Sequence, residues 1–499
     1  MTVAVLGSGP VGQTAALLLA RRGVPVVLVD EHERRDPVGS KAICHQRDTL
    51  DVWASLGAGC LAEEGLTWTT ARTFHRDREL FSYRLPGAGS ALPPFVNLSQ
   101  ARVEEVLDEL IARQPLIDVR RGHRVTGLTQ PGCVEVRCET RDGPRRIEAD
   151  YAIACTGARG DAVRRGVGEQ LAGVSFDDLF LICDIRADLA GWAAERRFYF
   201  DPPWNPGRQV LIHPCPGSRF RIDWQVPEDY DLAAEETGGA LDRRIRAIIG
   251  DRPYEVAWRS VYRFHTRLVR RMRAGRVLLA GDCAHLVAPF GARGLNSGVA
   301  DAENAAWKLA CVLRGEAGDG LLDSYHAERH AAAVENAEVT TATMDFLVPQ
   351  DDKQRRHRAE VLARAAHDPA AHPEVDSGRL AEPFWYTGSP LTTPDPDRPF
   401  AGRPPRGTLP PPGPGILLPD VTVAGRRLRE QARQGFLLLT TPGVVAPAGV
   451  RSAEIPVGGA LGARPGEAWL VRPDAYVAAV LRNPPELAPA LQRALSLRK

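Results

Sequence analysis

Two glycine-rich stretches, each beside a carboxylate, hold the residues of this chain whose types and spacing could do chemistry. In the first, Gly7, Gly9 and Gly12 stand in the run Gly-Ser-Gly-Pro-Val-Gly, and Asp30 follows eighteen residues after Gly12. That spacing is the dinucleotide-binding fingerprint, in which each part has a task. Gly7 allows a tight turn, Gly9, with Val11 two places on, lets the backbone approach a pyrophosphate, and Gly12 lets a helix pack closely on a strand. The N–H groups of the helix start then face the phosphates. Asp30 can accept hydrogen bonds from both ribose hydroxyls of an adenosine, which suits FAD or NAD alike. The second stretch runs Gly281, Asp282, Cys283, Ala284, His285, then Pro289, Phe290, Gly291, Ala292, Arg293, Gly294, Leu295, Asn296. It offers another carboxylate and another set of unpaired N–H groups. No Ser/His/Asp, Cys/His or metal-ligand set stands at informative spacing, so the hard chemistry is assigned to a cofactor and no metal is expected.

The elements that must position these residues are legible around them. Residues 3–6 are a short β-branched run, residues 13–22 an Ala/Leu-rich helix stopped by Gly23, and residues 26–29 a second buried strand ending on Asp30. Residues 276–280 predict a strand that delivers Gly281, and a long helix carries on from Asn296 through Asp301, Asn304, Trp307 and Lys308. Between the two stretches, residues 198–204, 209–213 and 220–225 alternate apolar and polar side chains, which predicts antiparallel strands with one packed face. A sheet of this kind could roof an apolar small-molecule pocket. Phe198, Trp204, Arg221 and Trp224 are pocket candidates, along with His213 and Asp223; each could instead fill a core.

A chain of 499 residues has room for two or three cores. Its 63 Lys+Arg and 62 Asp+Glu nearly cancel, so no field draws nucleic acid or an anionic membrane. The nine cysteines are scattered before Arg314 with no pairing pattern, which implies reduced thiols and a cytoplasmic setting. Cys133 and Cys138 sit at an odd spacing in a strand-like stretch, on opposite faces. No leader pattern and no apolar run of roughly 18 residues is found, so a soluble protein is expected.

The run GDCAHLVAPFGARGLNSG, from Gly281 to Gly298, resembles the second FAD motif of class A flavoprotein hydroxylases. The resemblance implies that Asp282 contacts the ribitol hydroxyls, with Gly281, Pro289 and Gly291 also among the cofactor-binding residues. Gly294, Leu295 and Asn296 would bring a helix N-terminus to the N1 and C2 edge of the isoalloxazine, where that positive end and Arg293 would stabilise reduced flavin. Residues 39–44 resemble the segment that carries a basic side chain, here Lys41, toward the adenosine and pyrophosphate. Gln100 falls where relatives place a polar residue near the ribityl chain, and Val125 where the backbone meets the adenine. Thr156 stands where relatives carry an aspartate linked to the pyrophosphate and to the nicotinamide nucleotide; Arg159 beside it is either a nucleotide contact or part of a surface turn.

By the same resemblance the fold is α/β. Residues 1–75, 96–170 and 265–350 would form a Rossmann-like FAD domain, with 76–95 and 171–264 as an inserted, mostly antiparallel β-sheet domain for substrate. Residues 351–415 would be a helical and Pro/Gly-rich linker, and 416–499 a thioredoxin-like domain. That last part has no cysteine, which leaves it a packing or dimerising role in a possible homodimer. The segments FDPPWNPG and FRIDWQV resemble those of hydroxyphenylpropionate and polyketide hydroxylases. The implied activity is that of a monooxygenase: NADH or NADPH visits transiently and reduces FAD, O₂ adds at the flavin C4a position, and one oxygen passes to an electron-rich ring. His213 or Asp223 could then serve as general base on a phenolic hydroxyl. Epoxidation, Baeyer–Villiger insertion and FAD chemistry without oxygen transfer remain alternatives.

Overall fold

The computed structural model describes residues 1–35, 42–84, 90–404 and 408–497. Its first sheet has six strands in the order Arg273–Ala274, Val277–Leu279, Tyr151–Ala154, Val3–Leu6 (β1), Val26–Val29 (β2) and Ile117–Arg120. All neighbours are parallel except the short first pair. β1 and β2 read VAVL and VVLV and are buried throughout, as strands covered on both faces must be. Helix α1 (Pro10–Arg21) crosses between them; a Cβ at Gly12 would lie 1.9 Å from the carbonyl oxygen of Gly7, so only glycine allows the helix to sit this close.

The second sheet has eight strands among the described residues. Its order is His285–Leu286, Tyr254–Leu268, Ala172–Ala187, Arg219–Val226, Gln209–Cys215, Glu195–Phe200, Thr70–His75 and Arg78–Arg84. Its neighbours run antiparallel save one parallel pair, Glu195–Phe200 with Thr70–His75. We label Glu195–Phe200 β3, Gln209–Cys215 β4 and Arg219–Val226 β5. Sequence placed the edge of this unit at residue 76, whereas Thr70–His75 already belongs to it. The parallel pairing joins strands more than a hundred residues apart, and nothing in either local pattern announces it.

Helix α3 (Gly294–Leu313) packs on α1, α2 (Arg47–Ser55) packs on α3, and α4 (Asp323–Leu347) packs on α3 and on strand Tyr254–Leu268. Near the C-terminus four strands lie in the order Ser452–Glu454, Leu437–Thr440, Ala468–Val471, Val477–Leu481, the first pair parallel and the others antiparallel. This is the strand order of a thioredoxin-like sheet, with helix Leu487–Ala494 on it. Residues 351–415 include helix Asp352–Ala365 but are no free spacer: Trp385, Tyr386 and Leu391 are buried, and the Tyr386 hydroxyl accepts a 2.9 Å bond from Arg329. Proline and glycine set an irregular path there, and the aromatic side chains decide that it packs.

Buried ion pairs seal the last unit to the first. Arg433 bonds Asp51 of α2 and Glu303 of α3, Arg427 reaches Asp51 at 2.5 Å and Arg429 reaches Asp48 at 2.7 Å. Farther along, Arg472 pairs with Glu328 of α4 and with Asp474, while Lys308 of α3 meets Glu328 at 2.6 Å.

Candidate functional site

One cavity of about 820 Å³ lies off the C-terminal ends of the parallel strands and under the eight-stranded sheet. Ligands of open α/β sheets bind outside these strand ends, where successive loops diverge. Gly7 and Gly9 follow β1, Asp30 follows β2, Thr156 and Gly157 follow Tyr151–Ala154, and Asp282 follows Val277–Leu279; all line the cavity.

At the first turn Gly7 has φ 103°, and a Cβ there would lie 2.3 Å from the carbonyl oxygen of Cys155. Gly9, by contrast, has no described atom within 4 Å of such a Cβ. Its open side faces the cavity at the start of α1, where no side chain among the described residues caps the helix. Uncapped N–H groups and an open backbone suit an anion. Asp30 is fixed by the Ser8 and His32 N–H groups, both donating at 2.9 Å. Val11 stands between the two glycine turns: Cβ atoms on Gly281 and Gly298 would come within 3.2 Å and 2.6 Å of its methyl groups.

The second turn is held from below. Gly281 donates its N–H to Asp301 at 2.9 Å, and Asp301 also receives His285 at 2.7 Å and Arg329 at 2.6 Å. Although burial opposes charge, Arg329 and His285 hold the Asp301 carboxyl down to about 2, so the anchor stays anionic. Asp282 opens onto the cavity, and a Cβ on Gly294 would lie 4.0 Å from its Oδ1, which places this carboxylate at the start of α3. Among the described residues no side chain caps that helix either. Asn296 lines the cavity but uses its amide structurally, accepting from Gln46 N–H at 2.9 Å and donating to the Cys44 carbonyl at 3.0 Å.

Pro289, Gly291, Leu295, Gln100 and Val125 line the same cavity, and Gln100 Oε1 accepts the Ala42 N–H at 3.2 Å. Lys41 lies outside the described residues. Arg293 lines the cavity at the α3 start, and its guanidinium is held by Asn336 at 2.7 Å and the Arg379 carbonyl at 3.3 Å; burial draws its pKa down to about 10. Thr156 also lines the cavity and donates its hydroxyl to Cys283 Sγ at 3.2 Å.

Under the eight-stranded sheet the wall changes character. Phe180, Ile182, Leu211, Trp258, Tyr262 and Phe264 supply apolar surface, with Phe290 from the second turn. Among them stand Arg196, His213, Arg221 and Asp223. Alternation explains the set: along β5, Arg221 and Asp223 face the cavity while Phe220, Ile222 and Trp224 face a separate core. Arg221 is bidentate to Asp184, at 2.7 and 2.9 Å. Burial pushes the Asp223 carboxyl up to about 7 against the pull of Arg221, with Asp184 adding to the rise. Burial, then Arg196 and Arg221, hold His213 well below the ordinary histidine range, so its ring is neutral.

Three pocket candidates are corrected. Trp224 lies on the far face of β5, Trp204 packs edge-on to Tyr199 in that same core, and Phe198 is fully buried in a cluster with Phe200 and Leu211; none lines the cavity. An aromatic on an alternating strand has two faces to choose from, and these three belong to the faces or layers that fill cores.

Sequence reasoning missed the strap at residues 376–382. Gly378 and Leu380 line the cavity, Ala381 donates to the Gly291 carbonyl at 2.8 Å, and Arg196 donates to the Ser377 carbonyl at 2.7 Å. A Cβ on Gly291 would lie 1.9 Å from the Arg379 carbonyl oxygen, so the second turn and the strap interlock through a glycine. The Asp-Ser-Gly run in a proline-rich region was its only local signal.

Among the described residues no group of His, Cys, Asp or Glu side chains could hold a metal ion, and no helix is long and apolar enough to cross a membrane. Residues 1–340 match the FAD binding domain family. The chain is 28% identical over 369 residues to a 3-(3-hydroxy-phenyl)propionate/3-hydroxycinnamic acid hydroxylase of Mycolicibacterium smegmatis, covering 73% of this chain and 64% of that one. It therefore spans less than two thirds of that relative's length. A flavin-dependent monooxygenase of Mycobacteroides abscessus is 32% identical over 359 residues, 67% of this chain and 72% of that one. The crystal structure of the flavin-dependent monooxygenase PieE, in complex with FAD and substrate, has the same fold, with a TM-score of 0.84 at 24% identity over 100% of this chain and 99% of that one.

Proposed function

The chain belongs to the FAD binding domain family, and from that premise we propose that it is a flavin monooxygenase that uses NADH or NADPH and O₂ to hydroxylate a small phenolic or polyketide-like aromatic molecule. The observation that carries the reading is the continuity of a single cavity from two glycine turns, each with a carboxylate, to an apolar wall with a few polar groups. Its residues fit FAD: Gly9 leaves room at an uncapped helix start for the pyrophosphate, Asp30 suits the adenosine ribose, and Asp282 and the α3 start suit the ribitol and the ring. Bound flavin would supply acceptance of hydride from the nicotinamide and activation of O₂.

The chain's own groups do the rest. Phe180, Phe264 and Phe290 pack ring against ring, at 4.2 and 5.7 Å from Phe180, and exclude water from the substrate. Asp223 is the proton acceptor for a substrate hydroxyl, because its carboxyl titrates near neutral pH. His213, neutral, acts as a hydrogen-bond partner and not as the base. Arg293 supports the helix start, its charge directed at Asn336 and the strap. With Thr156 turned to Cys283, the exposed Arg159 at the cavity rim is left to meet the nicotinamide nucleotide.

The test is to load the protein with FAD and follow NADH and NADPH oxidation with a panel of phenols and hydroxylated quinones under ¹⁸O₂. One labelled oxygen in the product is expected. Failure to hold FAD, or nucleotide consumption with no labelled product for any member, overturns the reading.

A further inference from the structure

Asp223 and His213 are the carboxyl and the imidazole of the cavity's substrate end, and neither makes a side-chain hydrogen bond to any described residue. Asp223 Oδ1 and His213 Nδ1 are sealed in protein without a partner. The second carboxylate oxygen and the second ring nitrogen are not sealed, and both residues line the cavity, so these atoms open onto it. The arginines of this wall are engaged: Arg221 with Asp184, Arg196 with the Ser377 carbonyl and Arg263 with Glu228. The two open atoms are the ones a ligand can reach, and a ligand that covers them without a matching group leaves each unsatisfied at a cost of about 1–3 kcal/mol. The same cost makes such a site reject an analogue that lacks the matching group far more strongly than a purely apolar pocket rejects a poor fit.

The register fixes how these two atoms relate. His213 lies opposite Arg221, and Asp223 opposite Leu211, so His213 and Asp223 form a diagonal pair across β4 and β5, both on the cavity face. Their chemistry is complementary. A neutral imidazole can donate one N–H, and a carboxylate accepts. We propose that this diagonal pair is a two-point recognition subsite for a hydroxy-carbonyl edge on the substrate, a ring hydroxyl ortho or peri to a carbonyl, with the carbonyl accepting from His213 and the hydroxyl donating to Asp223. The subsite rests on the monooxygenase reading for the identity of the cavity, and it narrows the substrate class. A free carboxylate, which only accepts, would face Asp223 with like charge; a plain arene would leave both atoms unsatisfied. Proton transfer at this edge is balanced within the pair, since the substrate O–H bond breaks as the Asp223 O–H bond forms.

The experiment is calorimetric binding to the FAD-loaded protein of 1-hydroxyanthraquinone, its methyl ether and unsubstituted anthraquinone. The hydroxyl compound should bind at least about tenfold tighter than either analogue. Asp223→Asn and His213→Leu should each erase most of that preference, and the double variant should lose little more than either single one, because one ligand edge couples them. Flavin content and its absorbance in each variant show that the site is still formed. Equal binding of hydroxyl and ether, a preference that survives Asp223→Asn, or no binding of any of the three overturns the subsite. None of these results touches the labelled-oxygen test, so the reaction and the subsite fail separately.

Discussion

At the scale of single residues, Asp223 has a consequence for stability as well as for turnover. Its folded pKa of about 7 stands above the roughly 3.9 of an unfolded aspartate. Between those values the folded chain keeps a proton that the unfolded chain has released, so stability falls as pH rises from about 4 toward 7 and then levels off. Arg221, Asp184, Arg196 and neutral His213 are the charged and titratable groups that face it. Asp223→Asn should therefore stabilise the protein relative to the parent more at pH 8 than at pH 5, by about 2 kcal/mol in urea unfolding; no difference between the two pH values would refute the raised pKa. Gly12 predicts the opposite sign. Gly12→Ala places a methyl group against the Gly7 carbonyl and should abolish FAD retention, whereas Gly23→Ala, with a φ of 77° but no neighbour within 4 Å, should cost only about 1 kcal/mol in the same assay.

At the scale of elements, the parts readable from sequence were those whose signal is local. β1, α1, β2 and Asp30 sit within thirty residues, and the second turn with α3 within another run, so pattern and spacing sufficed. The cavity wall was legible only by half. Alternation marked β4 and β5 as strands, but it does not say which face meets a ligand, and so Arg221 and Asp223 line the cavity while Trp224 turns to the other core. The anchor at Asp301 and the strap depend on contacts across long sequence gaps, which periodicity does not encode. The strap yields its own prediction. Gly291→Ala would drive a Cβ into the Arg379 carbonyl at a φ of 90°, so the strap must move. Faster proteolysis near residues 376–382 and flavin binding weaker by at least about tenfold are expected; unchanged proteolysis would show that the interlock is dispensable.

At the scale of the whole molecule, Asp51 ties the thioredoxin-like unit to the flavin side. Burial alone would raise its carboxyl, but Arg433, Arg429 and Arg427 hold it below the usual carboxylate range. The stability it contributes is present above the unfolded pKa and is lost only as pH falls through the lowered one. Asp51→Asn would remove the buried charge that Arg433, Arg429 and Arg427 share, leaving them only Glu303, Asp48 and Asp420, and should cost about 3 kcal/mol. Because α2 follows Cys44, which lines the cavity, the variant should also release flavin at lower denaturant than the parent; retention to the same midpoint would show that the two units are independent. The interlock of Gly291 with Arg379 also sets an order of events during synthesis. A ribosome extends the chain at about 5–20 residues per second, and the nucleotide fingerprint emerges long before the segment that completes the chamber around it. Nascent chains arrested ahead of residue 376 should thus carry folded β1 and α1 yet take up no yellow colour, making pigment a reporter of the strap's emergence.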